Sequence, residues 1–351
     1  MFRLNRTIAC IAISVMMCLS LFISKIVAES DIAGIQVFEK EKRIEVEGEI
    51  STELERYADT LGGAMEYLAV SKGGKEYESV IVLDCKPDAI YNALIKFGLK
   101  KGKPASFDEK GKPILPTGDP VRLFVEWKDE EGKTQRIRAE EFIYSTKTKK
   151  RMQYVYWPFT GSEIGYFDPE SDDEVLMTNV TKNVISLHHG DSSVLLQNPL
   201  KEASAEAVPY RLFSKVLKER IQQKKSQGAP QAQIEKLEER LASLPKAGTK
   251  VKLIIDANNP LMQIHVLISG KVQGVGFRNF TMRNARRIGG IKGYVKNLED
   301  GRVELVAEGH KFDLDKLVKR VERGPRAAKV EKVEKERRPF SGKYQQFEIV
   351  P

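Results

Sequence analysis

The sequence predicts an α+β protein of two domains behind a short N-terminal targeting segment. Runs that alternate apolar and polar residues are interleaved with runs of helical spacing throughout the chain after residue 31. Residues 262–351 follow one compact order of strand, helix, two strands, helix and strand. At 351 residues, with 41% hydrophobic and 30% charged side chains, the chain is long enough for two cores and is composed like folded protein.

Arg3 and Arg6 open a segment whose uncharged, mostly apolar run covers Thr7–Ser24. Ile26-Val27-Ala28 then places a small residue before Glu29, so residues 1–28 read as a signal peptide cleaved after Ala28. The run is also about the length of a bilayer span, and residues 7–24 would anchor the protein in a membrane if uncleaved. Both readings imply export, to a periplasmic, extracellular or membrane-anchored location. Cys10 and Cys18 lie in this segment, and Met16-Met17 before Cys18 is a poor lipobox. Cys85 is then the only thiol of the mature chain, which excludes an internal disulfide. It ends the apolar run Ile81-Val82-Leu83-Asp84-Cys85 and reads as an inert core residue.

Residues 29–259 form the larger domain. Val37–Val46 alternates, and Met65–Val70 and Ser79–Leu83 read as strands flanking the turn Lys72-Gly73-Gly74-Lys75. Ile90, Ala93, Leu94 and Phe97 fit a helix that Gly98 stops. Lys101–Pro120, rich in Gly, Pro and Lys, reads as a surface loop. Val121–Trp127 and Thr134–Ile143 bracket Asp129–Lys133 as a hairpin, so antiparallel pairing is expected. Phe213, Val216, Leu217 and Ile221 space as one amphipathic helix, and Ile234, Leu237, Leu241 and Leu244 as another. With Gly228 and Pro230 between them, residues 213–244 read as an inserted helical hairpin. Its stripes face each other or the domain, or alternatively a protein partner. Lys250–Ile255 supplies a last strand before the linker Ala257–Pro260.

In the C-terminal domain the expected elements are strand 263–269, helix 277–288, strands 291–297 and 301–308, helix 312–323 and strand 328–336. Asp300-Gly301 turns the central hairpin, and Phe347 and Ile349 mark a last short strand. This βαββαβ order is a ferredoxin-like sandwich with both helices on one face of an antiparallel sheet. The alternation slips between Val330 and Val333, which predicts a bulge.

Between the first strand and first helix of that domain lies Gly270-Lys271-Val272-Gln273-Gly274-Val275-Gly276-Phe277-Arg278. A glycine-rich turn at a helix N-terminus aims several backbone N–H groups at one point, and the helix dipole adds positive potential there. Arg278 can supply a planar, permanently charged fork for two phosphate oxygens. The same spacing also describes a tight turn before a basic surface helix, since Arg283, Arg286 and Arg287 follow.

This loop, with Gly293-Tyr294-Val295-Lys296-Asn297 some twenty residues later, resembles the two signature motifs of the acylphosphatases. The likeness continues through Leu298–Glu304 to Phe347-Glu348-Ile349 and covers about residues 262–351. It implies metal-independent hydrolysis of an acyl phosphate without a cofactor. Arg278 and the backbone N–H groups of Val272, Gln273, Gly274, Val275, Gly276 and Phe277 would hold the phosphate, and Asn297 the attacking water. Asn297 alone would read as a turn-former beside Glu299-Asp300-Gly301. Some relatives have a hydroxyl residue after the asparagine where this chain has Leu298. Residues 31–259 are similar to the uncharacterised YdjY-type domain through Leu68-Ala69-Val70, Gly74-Lys75, Tyr77-Glu78-Ser79, Trp157–Ser162 and Lys250–Ile255. That likeness implies no activity.

Charge is unevenly placed. Residues 262–351 hold 20 Lys and Arg against 11 Asp and Glu, a +9 that equals the net charge of the whole chain. Such a domain steers small anions. Nucleic acid is the rival partner, but no array of surface aromatics supports it and none is expected. His188-His189 with Asp191 do not make a metal site, since adjacent histidines point differently on a strand and no further ligand is identifiable to complete a set. His265 and His310 read as structural or exposed, and Asp168 with Asp172-Asp173-Glu174 as a solvated loop without calcium-loop spacing. Ser162 has no triad partner at motif spacing, and Asn179-Val180-Thr181 is a sequon in form only. Two readings compete with hydrolysis. The C-terminal domain could bind an acyl phosphate or phosphate without turnover, or residues 29–259 could carry the cellular role as an envelope interaction protein.

Overall fold

The computed structural model of the protein describes residues 34–53, 64–166, 173–205 and 208–351. Residues 1–28, with Cys10, Cys18 and the targeting reading, and the acidic stretch Asp168 to Asp172 lie outside them. The chain divides into two compact units between Asn258 and Asn259.

The first unit is mixed sheet and helix. Its main sheet runs in the order Trp157–Pro158, Pro120–Lys128, Lys250–Asp256, Arg43–Ile50, Ser79–Leu83, Tyr67–Ser71, Asn183–Ser186, Leu196–Gln197. Arg43–Ile50 and Pro120–Lys128 bury alternate residues, so one face meets the core and the other meets water. Lys250–Asp256 arrives last in sequence yet pairs on both sides, with Arg43–Ile50 and Pro120–Lys128. Helix Pro87–Lys96 contributes Ala89, Ile90, Ala93 and Leu94 to the core, and Gly98 follows at φ +79°. Pro120–Lys128 and Thr134–Arg138 form the expected hairpin. The loop before it carries its own short pair, Ser106–Phe107 with Pro113–Ile114.

One pairing differs from the sequence expectation. Tyr67–Ser71 and Ser79–Leu83 are parallel neighbours, not arms of a hairpin around Lys72–Lys75. The short intervening segment suggested a hairpin, since parallel connections normally need a dozen or more residues. Every residue of both strands is buried, as two-sided cover of a parallel pair demands. The chain returns through a 3₁₀ turn at Glu76–Glu78, where Ser51 Oγ donates to Glu76 O.

Helices Phe213–Ser226 and Gln231–Ala242 follow, with Phe213, Val216 and Leu217 packed with Leu237, Leu241 and Leu244. Among the described residues no helix is long and apolar enough to cross a membrane.

In the second unit we number the elements β1 (Leu261–Lys271), α1 (Phe277–Ile288), β2 (Lys292–Asn297), β3 (Val303–His310), α2 (Lys311–Arg323), β4 (Lys329–Pro339) and β5 (Phe347–Ile349). The sheet order is β4-β1-β3-β2-β5, antiparallel except that β5 runs parallel to β2. This is the ferredoxin-like arrangement. Val266, Ile268, Val295, Val303 and Leu305 of the sheet join Phe277, Ala285, Leu314, Leu317 and Val321 of the helices in one core. The buried stripe of α1 departs from a purely apolar one, for it includes Thr281 and Asn284. Thr281 Oγ1 donates to Phe277 O and Asn284 Nδ2 to Phe280 O, which satisfies both inside the helix. In β4 the register shifts from Ser269↔Lys332 to Gly270↔Val330, leaving Glu331 unopposed at the predicted slip. Glu308, 1% exposed, accepts from Gln263 Nε2, from the N–H and Oγ of Ser341 and from Gly342 N–H, holding the segment that leads to β5.

Candidate active site

β1 and β2 both run antiparallel to β3, so their C-terminal ends lie at the same end of the sheet. The glycine-rich loop leaves β1 there, and Asn297 closes β2 there. Val303 of β3 pairs with Ile268 on one side and Asn297 on the other. Two strand spacings therefore separate Asn297 from the last regular turn of β1, about 10 Å.

Buried Val272 and Phe277 pin the two ends of the loop. Gly274 and Gly276 take φ +72° and +75°, a left-handed backbone that glycine adopts without a Cβ penalty. Gly276 is also the N-cap of α1, where no side chain caps the helix. The expected set of donors loses Val272, whose N–H is spent on Gly270 O at 2.9 Å, whereas among the described residues the backbone N–H groups from Gln273 to Arg278 donate to no other part of the chain. A helix N-terminus ordinarily leaves such donors free for a cap, water or anion. Arg278, the second residue of α1, projects from this loop with its side chain half-buried. Neither its guanidinium nor the Asn297 carboxamide has a hydrogen-bond or ion-pair partner among the described residues.

The β2–β3 turn is closed without Asn297. Leu298 N–H donates to Arg302 O, and Asp300 Oδ1 accepts from Arg302 N–H. The hydrogen bonds from Arg302 hold the Asp300 carboxyl below its ordinary range. Turn formation thus uses Asp300 and Gly301 (φ +89°) and leaves the Asn297 side chain unused.

Gln273 has a role that sequence reading missed. It was expected to offer only its backbone N–H, but its side-chain Nε2 donates to Leu298 O at 2.8 Å and to Arg302 O at 2.9 Å. This double bond of carboxamide to turn fastens the loop to the hairpin that begins at Asn297. No local pattern signals it, because the partners are remote in sequence and their acceptors are backbone atoms.

The other candidates, in the first unit except for His265, play structural parts. His189 contacts Ser204 Oγ through Nδ1 and Asn198 O through Nε2, and burial lowers its basicity. Among the described residues no group of three His, Cys, Asp or Glu is placed to hold a metal ion. Burial pushes the Cys85 thiol up to about 12, as an inert core residue requires. Ser162, at φ +64°, accepts from Thr178 N–H and donates to Glu163 O. His265 donates or accepts at Glu304, within the polar face of the second sheet.

The acylphosphatase family model matches residues 264–349 and the YdjY domain model residues 35–189. The YdjY match thus stops short of Lys250–Ile255, although that strand lies inside the same sheet. The acylphosphatase of Archaeoglobus fulgidus is 47% identical over 89 residues, which are 25% of this chain and 98% of that protein. That of Pseudomonas paraeruginosa is 48% identical over 79 residues, 22% of this chain and 86% of that protein. The crystal structure of acylphosphatase from Bacillus subtilis aligns at 36% identity and TM-score 0.25, covering 26% of this chain and 99% of that one.

Proposed function

The chain belongs to the acylphosphatase family through its C-terminal unit, and from that premise we propose that this unit hydrolyses acyl phosphates to a carboxylate and inorganic phosphate. The observation that carries the reading is the pairing of unspent backbone donors at the start of α1 with an unpartnered guanidinium and carboxamide at one end of the sheet.

In this reading the N–H groups from Gln273 to Phe277 and the Arg278 fork surround the phosphoryl oxygens. They neutralise charge where it concentrates as the bond to the acyl oxygen stretches. Asn297 accepts or donates to a water and holds it in line with the phosphorus, supplying orientation rather than basicity. Water oxygen bonds to phosphorus, the phosphorus–acyl oxygen bond breaks, and the bonding pair leaves on the carboxylate. A carboxyl group titrates near pH 4, so it departs as an anion without a proton donor. The proton lost by water passes to a phosphoryl oxygen. No step calls for a metal or a covalent enzyme intermediate. Leu298 supplies no hydroxyl, so water positioning falls to Asn297 alone.

Residues 1–28 would deliver this activity to the exported or membrane-anchored state that the sequence suggests, with the YdjY-like unit as its companion. Phosphate release from benzoyl phosphate by the purified protein, in the presence of a chelator, tests the activity. Tight phosphate binding without turnover would instead favour a binding module.

A further inference from the structure

Positive charge is not spread evenly over the second unit. On the face of the sheet that turns away from the helices the charges are paired. His265, Tyr294 and Glu304 alternate there with the core residues Val266, Val295 and Leu305. Glu304 contacts His265 at 2.8 Å and Lys296 at 3.2 Å, Glu336 contacts Arg338 at 2.6 Å, and Glu334 contacts Lys332 at 2.5 Å. The helical layer is different. α1 carries four arginines, Arg278, Arg283, Arg286 and Arg287, and no acidic residue. It buries Phe277, Thr281, Asn284 and Ala285, so positions 283, 286 and 287, three and four apart, form one stripe on its outer side. All three arginines of that stripe are exposed and have no ion-pair or hydrogen-bond partner among the described residues.

α2 adds to this charge instead of cancelling it. Its acids are already committed, Asp313 to Lys316 at 3.2 Å, Asp315 to Arg337 at 3.0 Å and Glu322 to Lys335 at 2.8 Å. Arg320 and Arg323 are exposed and also have no ion-pair or hydrogen-bond partner among the described residues. α1 and α2 pack beside each other and share one core with the sheet, so both exposed stripes face outward from the same layer.

We propose that this outer face of the helical layer is an electrostatic docking surface for a bilayer rich in anionic phospholipid. Guanidinium forks pair with headgroup phosphates. The contact needs no insertion, since the apolar sides of both helices are spent on the core. Two observations favour lipid over nucleic acid. Among the described residues, no large apolar or aromatic side chain between positions 277 and 323 is exposed for bases to stack on. A duplex groove takes a helix that stands clear of its domain, whereas α1 lies beside α2 and the two present one broad basic layer. The contact is made by exposed charge, so it weakens as salt rises.

The test is sedimentation of the full-length protein with vesicles of pure phosphatidylcholine and of phosphatidylcholine mixed with phosphatidylglycerol, at low and high salt. The difference between the two vesicle types reads the electrostatic part and cancels any contribution of residues 7–24. One variant combines Arg283→Gln, Arg286→Gln and Arg287→Gln. Its control combines Lys103→Gln, Lys110→Gln and Lys112→Gln, which removes the same charge from exposed lysines of the first unit. Circular dichroism checks that each variant keeps its fold. We expect the parent to prefer the anionic vesicles at low salt and to lose that preference at high salt. The arginine variant should bind the anionic vesicles about a hundredfold more weakly, the scale of three basic residues at an anionic surface. The lysine control should stay close to the parent. Equal binding to both vesicle types by the parent overturns the proposal, as does an equal loss in the lysine control. Arginine-dependent binding to a duplex or single-stranded oligonucleotide that is tighter than binding to the anionic vesicles would assign the surface to nucleic acid and overturn it as well. None of these readouts depends on hydrolysis, so the outcome is separate from that of the proposed activity.

Discussion

The side-chain amide of Gln273 donates to the main-chain carbonyl of Leu298 at 2.8 Å and so joins the glycine-rich loop to the hairpin that follows Asn297. With its second bond to Arg302 O, this one carboxamide fixes the spacing between the two halves of the candidate site. Gln273→Ala removes both bonds, about 1 kcal/mol each. We expect a fold that survives and a kcat/KM on benzoyl phosphate about tenfold lower, with kcat falling more than KM rises. Gln273→Glu should do no better, since a carboxylate cannot donate to two carbonyls. Steady-state kinetics with circular dichroism of each variant checks this.

Two glycines should respond differently to the same methyl group. A Cβ on Gly276 meets nothing within 4 Å, so Gly276→Ala costs only the left-handed backbone at φ +75°, about 1–2 kcal/mol. A Cβ on Gly293 would lie 2.1 Å from Val306 O, at φ +136°, in the middle of the sheet. Gly293→Ala forces β2 off β3 and should lose the C-terminal unit's folding, while Gly276→Ala loses activity first. Calorimetry on both variants separates the outcomes.

Acid should loosen the second unit through Glu308. Burial alone would raise its carboxyl, but the hydrogen bonds from Ser341, Gln263 and Gly342 outweigh that and hold it below the ordinary carboxylate range. A depressed carboxyl stabilises the fold fully above its unfolded value and loses that contribution as pH falls through the lowered folded value. Stability should therefore decline below about pH 4.5 in the parent. Glu308→Gln should be less stable at neutral pH and show a shallower acid decline. Thermal unfolding across about pH 3–7 tests the sign.

The sequence was most legible where structure is local. The α1 range 277–288 agrees with the spacing, and the slip between Val330 and Val333 is the bulge at Glu331. Hydrophobic period and turn chemistry write such features into neighbouring residues. The parallel pairing of Tyr67–Ser71 with Ser79–Leu83 was not legible, because two short buried strands with a brief connection look the same in either direction. Thr281 and Asn284 blurred the buried stripe of α1, since their polar atoms are satisfied by carbonyls of their own helix. At the candidate site the glycines and Arg278 stood out through spacing. The Gln273 tie did not, for it arises from a contact between segments remote in sequence.

The central claim is that Arg278 and Asn297 act on one substrate. The most direct measurement is kcat/KM for benzoyl phosphate, with chelator present, for the parent, Arg278→Ala, Arg278→Lys and Asn297→Ala. The account predicts turnover by the parent and a loss of at least about a hundredfold in each alanine variant, the scale of removing a transition-state donor. Arg278→Lys should recover little, since a point charge lacks the fork. Normal turnover by folded Asn297→Ala, or by folded Arg278→Ala, would contradict it.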